Sequence, residues 1–255
     1  MLYQILSAKK NQVSSIFFKM LDYHRENVRS IKVKSYKDYG NRDATKVEGA
    51  RAFVLFKLQL FDLLKEVQAL NSDKKLTPEQ EINFAYMIFF YGIDEQWDSF
   101  TNTHLGEYGR ERLDALERRR KEILAAEGKN IGRTNQTVLG TYYRNMYNAV
   151  KFVDESIYLT RKEKYNYVKM YRAQLSNSEL AVFFFNIQSD FGMKWKFDWK
   201  KKRCEDKEVR VDHDLITQYK LIKNIPEGYL QNYNHKKSFD MEYEDDEIKS
   251  HPTTG

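Results

Sequence analysis

Long amphipathic stripes with few interruptions are the feature that most constrains this fold. The 255 residues include only 3 Pro and 11 Gly, the two residue types that most often end helices. Apolar residues instead recur at three- and four-residue spacing, most clearly over 13–28 and 47–70. The same spacing predicts further helices over 78–90, 111–126, 139–157, 163–175, 178–191 and 215–223. The pattern therefore predicts an all-α chain.

The composition predicts one large hydrophobic core. Hydrophobic residues make up 41% of the chain, and 18 Tyr and 16 Phe lie largely within the helical stripes. We therefore expect a single-domain helical bundle of about six to eight helices with an aromatic-rich core, over residues 1–235. The most apolar segment, 178–191, is shorter than the about 18 to 20 residues of a membrane span, so we expect it at the centre of the core.

Charge is distributed unevenly along the chain. The net charge is +6, but residues 239–255 carry six acidic residues and one lysine, which leaves a body of 42 basic and 31 acidic residues. We expect residues 236–255 to form a disordered acidic tail. The basic body could attract nucleic acid or an anionic membrane surface.

Cysteine content and hydropathy favour a cytoplasmic protein. Cys204 is the only cysteine, so no internal disulfide and no cysteine-based zinc cluster can form. No apolar segment is long enough to span a bilayer, and residues 1–10 are too short and polar for a signal peptide.

Two helix starts and one helix end are marked by local motifs. Thr77 and Gln80 have the spacing of a capping box, and so do Ser176 and Glu179, immediately before the apolar segment 178–191. Gly92 follows an apolar helix and is the residue type that typically ends one.

Five segments, in order, resemble the phage abortive-infection family (AbiC-like). They are FFKMLDYH at 17–24, FAYMIFFYG at 84–92, LGTYYRNMY at 139–147, YRAQLSNSEL at 171–180 and, more loosely, YKLIKN at 219–224. The segment at 171–180, with the following Asn186, is the most specific of them. The others are aromatic helices of a common kind.

The resemblance implies a helical protein of bacterial phage defence, thought to kill or arrest the infected cell. Many relatives begin with two transmembrane helices, which this sequence lacks. We therefore expect an abortive-infection effector or sensor that acts by binding a phage or host component. A second copy of the chain or a partner defence protein are further candidate partners.

The segments at 139–147 and 171–180 also suggest a polar network inside the aromatic core. Arg172 lies on the apolar face of its helix, and a buried arginine normally needs a partner, so we expect it to pair with Glu179. The candidate set comprises Arg144, Asn145, Arg172, Gln174, Ser176, Glu179 and Asn186. We favour a structural salt-bridge network, and a ligand or catalytic site stays open as the alternative.

A basic segment with interleaved aromatic residues follows Gly192. It contains Lys194, Trp195, Lys196, Trp199, Lys200, Lys201, Lys202 and Arg203. This composition suits stacking on single-stranded nucleic acid or contact with an anionic membrane surface. A loop whose aromatic residues anchor it to the body explains the composition equally well.

The enzymatic alternative is a nucleic-acid-binding or RNA-cleaving toxin similar to the HEPN ribonucleases, which are helical and defence-linked. Those enzymes carry an Arg followed four to six residues later by a His, and no His here has that spacing. We therefore assign no catalytic residue. Asp212, His213 and Asp214 lack a second ligand cluster, and phosphate-loop motifs are absent, so we expect neither a metal nor a cofactor.

Overall fold

A computed structural model describes residues 1–38, 40–41, 46–70, 75–93, 97–201 and 208–246. Within this part of the chain, seven α-helices have twelve or more residues, which agrees with the predicted six to eight. The helices, in chain order, are α1 (Leu2–Ser30), α2 (Ala52–Ala69), α3 (Pro78–Tyr91), α4 (Trp97–Phe100), α5 (Arg110–Glu127), α6 (Gln136–Asp154), α7 (Arg161–Arg172), α8 (Asn177–Gln188), α9 (Leu215–Gln218) and α10 (His235–Ser238).

Two short antiparallel strand pairs accompany the helices. Strands β1 (Lys32–Lys34) and β2 (Lys46–Glu48) form one pair, and β3 (Phe197–Lys201) and β4 (Glu208–Asp212) form the other. Short 3₁₀ or π segments lie at Tyr36–Asp38, Gly49–Arg51, Thr101–Leu105, Gly106–Tyr108 and Asp190–Trp195. The prediction of a mainly helical chain is confirmed, whereas the strands β3 and β4 were not predicted.

The chain divides into two compact units. Unit 1 comprises Met1–Asn27, Tyr142–Ile187 and the residues from Phe191 onward, and unit 2 comprises Val28–Thr141 and Gln188–Asp190.

In unit 2, α2 packs against α3 through a core rich in phenylalanine. Phe53, Phe56 and Phe89 are completely buried, and their rings meet edge to face. The predicted capping box at the start of α3 is confirmed, because Thr77 accepts from the Gln80 amide and Gln80 accepts from the Thr77 amide. Gly92 ends the helix at φ +83°, as its position predicted.

In unit 1, α8 forms the most buried element. Every residue from Ser178 to Ile187 is buried, which confirms the central position expected for this apolar segment. α7 begins with a capping box of Thr160 and Glu163, and hydrogen bonds from Lys10 and Thr160 lower the pKa of Glu163 to about 2. Ile157, the last residue of the helix predicted over 139–157, is 87% exposed because α6 ends earlier, at Asp154.

Part of the segment expected to be disordered is folded within unit 1. Tyr243 is buried, and its hydroxyl donates to the carbonyls of His235 and Phe239. Glu242 forms an ion pair with Lys220. Residues 247–255, the end of the expected tail, lie outside the described residues.

Candidate functional site

A buried carboxylate at the start of α8 is the centre of the polar network in unit 1. Glu179 is 2% exposed, and its oxygens accept from the Ser176 amide at 2.8 Å, the Ser176 hydroxyl at 2.7 Å and the Tyr142 hydroxyl at 3.0 Å. The Ser176 hydroxyl in turn accepts from the Glu179 amide. The predicted capping box is confirmed, and Tyr142 is an additional donor that the sequence analysis did not identify.

Burial shifts the pKa values of Glu179 and Tyr142. It raises the pKa of Glu179, while hydrogen bonds from Ser176 and Tyr142 act in the opposite direction. Burial also raises the pKa of Tyr142 well above its usual value, and the Glu179 charge adds to this effect. The phenol therefore stays protonated and donates to the carboxyl group.

A histidine from α1 completes the cluster. His24 is buried between two tyrosine rings, with its centroid 5.1 Å from that of Tyr142 and 4.8 Å from that of Tyr171. Its Nδ1 shares a hydrogen bond of 2.7 Å with the Tyr171 hydroxyl. Burial, and then the charge of Arg25, lower the pKa of His24 to about 4, so the imidazole is neutral at neutral pH. His24, Tyr142, Tyr171, Ser176 and Glu179 are called the buried cluster below.

Arg172 uses backbone oxygens instead of the predicted carboxylate. Its guanidinium donates to the carbonyls of Tyr219 at 3.2 Å and Lys220 at 2.8 Å, just after α9. Lys220 has a φ of +48°, so the chain turns sharply where these carbonyls point at the arginine. The predicted pairing of Arg172 with Glu179 is therefore wrong, because the end of α9 supplies the acceptors.

The remaining residues of the predicted network divide between the surface and the core. Arg144 and Gln174 are exposed, Asn145 is half-buried and Asn186 is buried in α8. The Gln174 side-chain oxygen accepts two hydrogen bonds from Arg25, at 3.1 and 3.0 Å. Since Arg144 is exposed, its guanidinium is not part of the buried cluster.

The basic segment that follows Gly192 is anchored by its first aromatic residue. Trp195 is 2% exposed and its ring packs against Tyr147 and Phe183, so it is not available for stacking on a nucleic acid. Lys194 and Lys196 are exposed. Trp199, Lys200 and Lys201 belong to β3, but the structure does not describe their side chains. Lys202 and Arg203 lie outside the described residues.

Unit 2 contains an open cleft of about 310 Å³ beside the start of α6. Arg133 lines it, but its guanidinium donates to the Lys34 carbonyl, the Gln59 side-chain oxygen and the Asn135 side-chain oxygen. Asn135 in turn donates to the Phe89 carbonyl. These polar groups hold the segment before α6 against α2 and α3. The cleft is lined by Val33, Lys34, Arg133, Thr134, Asn135, Thr137 and Val138.

The chemistry open to the buried cluster is limited by its burial. His24, Tyr142, Tyr171 and Glu179 are each at most 2% exposed, so a substrate reaches none of them without a rearrangement of the core. Within the described ranges, no group of three or more His, Cys, Asp or Glu residues is arranged to hold a metal ion. No helix in the described part of the chain is long and apolar enough to cross a membrane.

Four of the five segments that carry the family resemblance meet around the buried cluster. His24 belongs to 17–24, Tyr142 to 139–147, Tyr171, Arg172 and Glu179 to 171–180, and the carbonyls bound by Arg172 to 219–224. His24, Tyr142 and Tyr171 had no predicted polar role, although all three lie within the resembling segments. The remaining segment, 84–92, lies in unit 2, where the Phe89 and Phe90 carbonyls accept from Asn135 and Thr134.

Comparison with known proteins identifies one family. A family model described as "Putative phage abortive infection protein" matches residues 134–199, about a quarter of the chain. The match includes α6, α7, α8 and the segments 139–147 and 171–180, so the predicted resemblance is confirmed there. The segments 17–24, 84–92 and 219–224 lie outside it. No curated protein and no solved structure matched the chain.

Proposed function

We propose that this protein takes part in phage abortive infection, as an effector or sensor that binds a phage or host component. The observation that carries the proposal is the family match over 134–199, which includes the segment 171–180 at the centre of unit 1. The single cysteine favours a cytoplasmic location.

Binding is favoured over catalysis because the titratable groups of the buried cluster are enclosed in the core. The His24 imidazole and the Glu179 carboxyl group, the two groups best suited to proton transfer, are both buried and hydrogen-bonded within the core. Of the predicted polar network, Arg144 and Gln174 instead lie on the surface of the matched region. We therefore assign recognition to this surface.

Phage challenge tests the proposal. Cells that express the protein are expected to form at least tenfold fewer plaques than cells with an empty vector, for some phages of a diverse panel. Arg144→Ala is expected to reduce this protection at an unchanged protein level. The matched control is Arg118→Ala, an exposed arginine outside the matched region, which should keep full protection. Equal protection by both variants would remove Arg144 from the recognition surface.

RNA integrity distinguishes the proposal from an RNA-cleaving toxin. Total RNA from infected cells is expected to remain intact until the phage itself degrades it, in cells with and without the protein. Early cleavage of ribosomal or transfer RNA that occurs only in cells with the protein would contradict a binding mechanism.

A further inference from the structure

The apolar stripe of α1 continues beyond the part of the helix that is covered. Val13, Phe17 and Leu21 are buried. Leu6 lies seven residues before Val13 and eleven before Phe17, and is therefore on the same face of the helix. Yet Leu6 is 43% exposed.

The packing of α1 on α7 explains why the stripe becomes exposed. Lys10 pairs with Glu163, Ser14 with Tyr167 and His24 with Tyr171, so the two helices run parallel. Because α7 begins at Arg161, the first two turns of α1 extend past its end. Every residue from Tyr3 to Lys9 is exposed.

This end of unit 1 presents several large apolar side chains together. Tyr3 is 83% exposed and Ile5 is 57% exposed, and Met1 precedes them on the same two turns. The loop that leads into α7 adds Ile157, which is 87% exposed. Met1, Tyr3, Ile5, Leu6 and Ile157 are called the helix tip below. Large apolar side chains grouped in this way mark a surface that a partner covers.

Basic residues outnumber acidic residues near the helix tip, although Glu155 lies two residues before Ile157. Residues 1–21 contain Lys9, Lys10 and Lys19 and no acidic residue. The start of α7 adds the exposed Arg161 and Lys162, while its Glu163 is offset by the ion pair with Lys10. A second copy of the chain placed against this end would bring like charges together, so the charge favours an anionic partner.

We propose that the helix tip docks on an anionic lipid surface. Its apolar side chains would enter the boundary between headgroups and acyl chains, and Lys9, Arg161 and Lys162 would contact the lipid phosphates. An exposed helix end that carries scattered aliphatic and tyrosine side chains suits a fluid bilayer, which needs no complementary groove. This inference is independent of a role in abortive infection.

Vesicle co-sedimentation tests the docking surface with the full chain. Wild-type protein is expected to sediment with vesicles of phosphatidylcholine and phosphatidylglycerol in a 7:3 ratio, and much less with pure phosphatidylcholine. Leu6→Asp is expected to weaken partitioning by at least about tenfold. Its control is Val54→Asp, since Val54 is an apolar residue of unit 2 with 44% exposure, and it should bind like the wild type.

Charge variants test the basic residues near the helix tip. Lys162→Glu is expected to weaken binding by about fivefold or more, and added salt should weaken the wild type in the same way. Lys237→Glu, at an exposed lysine elsewhere in unit 1, serves as the control. Thermal unfolding of each variant establishes that the fold is intact, which is expected because all four positions are on the surface.

Three results would overturn the proposal. The first is a wild-type protein that does not sediment with anionic vesicles at low salt. The second is Leu6→Asp binding equal to that of Val54→Asp. The third is a change of oligomeric state caused by Leu6→Asp in the absence of lipid, which would assign the helix tip to a contact between copies.

Discussion

His24 makes the stability of unit 1 depend on pH, and the direction follows from its burial. Its pKa is lowered to about 4 from 6.5, so the unfolded chain takes up a proton first as the pH falls. The free energy of unfolding is therefore unaffected by this group above about pH 7 and falls between about pH 6.5 and 4. A shift of this size corresponds to about 3 kcal/mol in total, of which about 2.5 kcal/mol is lost by pH 4.5.

The double variant His24→Phe with Tyr171→Phe isolates this contribution. It removes the imidazole and its hydrogen-bond partner together, so neither is left buried and unpaired. Urea unfolding is followed by tryptophan fluorescence in a Trp97→Phe background, in which Trp195 and Trp199, both in unit 1, remain. Between pH 7.5 and 4.5 the background protein should lose about 2.5 kcal/mol more than the double variant.

The comparison between the double variant and its background protein excludes the contribution of Glu179. The raised pKa of Glu179 acts in the opposite direction, since its protonation stabilises the folded state as the pH falls, and this group is present in both proteins. Equal pH dependence in the double variant and its background would refute the assignment of a buried neutral imidazole.

Three further substitutions test single contacts by urea unfolding. Arg172→Met should lower the free energy of unfolding of unit 1 by about 2–4 kcal/mol, because two buried carbonyls lose a charged donor; Arg172→Lys, which still reaches one carbonyl, should lose less. Tyr142→Phe removes one donor from Glu179 and should cost about 1–2 kcal/mol. Gly92→Ala should destabilise unit 2 by about 2 kcal/mol or more, since φ is +83° and an added Cβ would lie 2.7–2.9 Å from Thr134, and Trp97 fluorescence reports it.

The helices could be predicted because their determinants are local. The capping boxes at Thr77 and Ser176 and the stop at Gly92 depend on residues within three or four positions of one another. The start of α1 at Leu2 was missed by eleven residues, because every residue from Tyr3 to Lys9 is exposed and only Leu6 extends the apolar stripe of the buried part. An exposed helical extension therefore shows little of the packing pattern from which a helix is predicted.

The strand pair and the partner of Arg172 could not be predicted for a different reason. Strand β3 pairs with β4 in a register that is set between segments seven or more residues apart, and the basic composition of 194–203 gives no hint of it. Arg172 is satisfied by the carbonyls of Tyr219 and Lys220. Because every residue has a backbone carbonyl, the sequence does not show which carbonyls a buried arginine contacts. A complementary side chain, Glu179, was therefore predicted as its partner instead.

The placement of the resembling segments also limits what they can say about activity. His24, Tyr142, Tyr171 and Glu179 are buried, so their substitution is expected to change the stability of unit 1 before it changes any contact with a partner. Loss of phage protection in such variants would therefore not locate a recognition site. Exposed positions such as Arg144 and Leu6 lie outside the core, and only variants of this kind separate a defect in binding from a defect in folding.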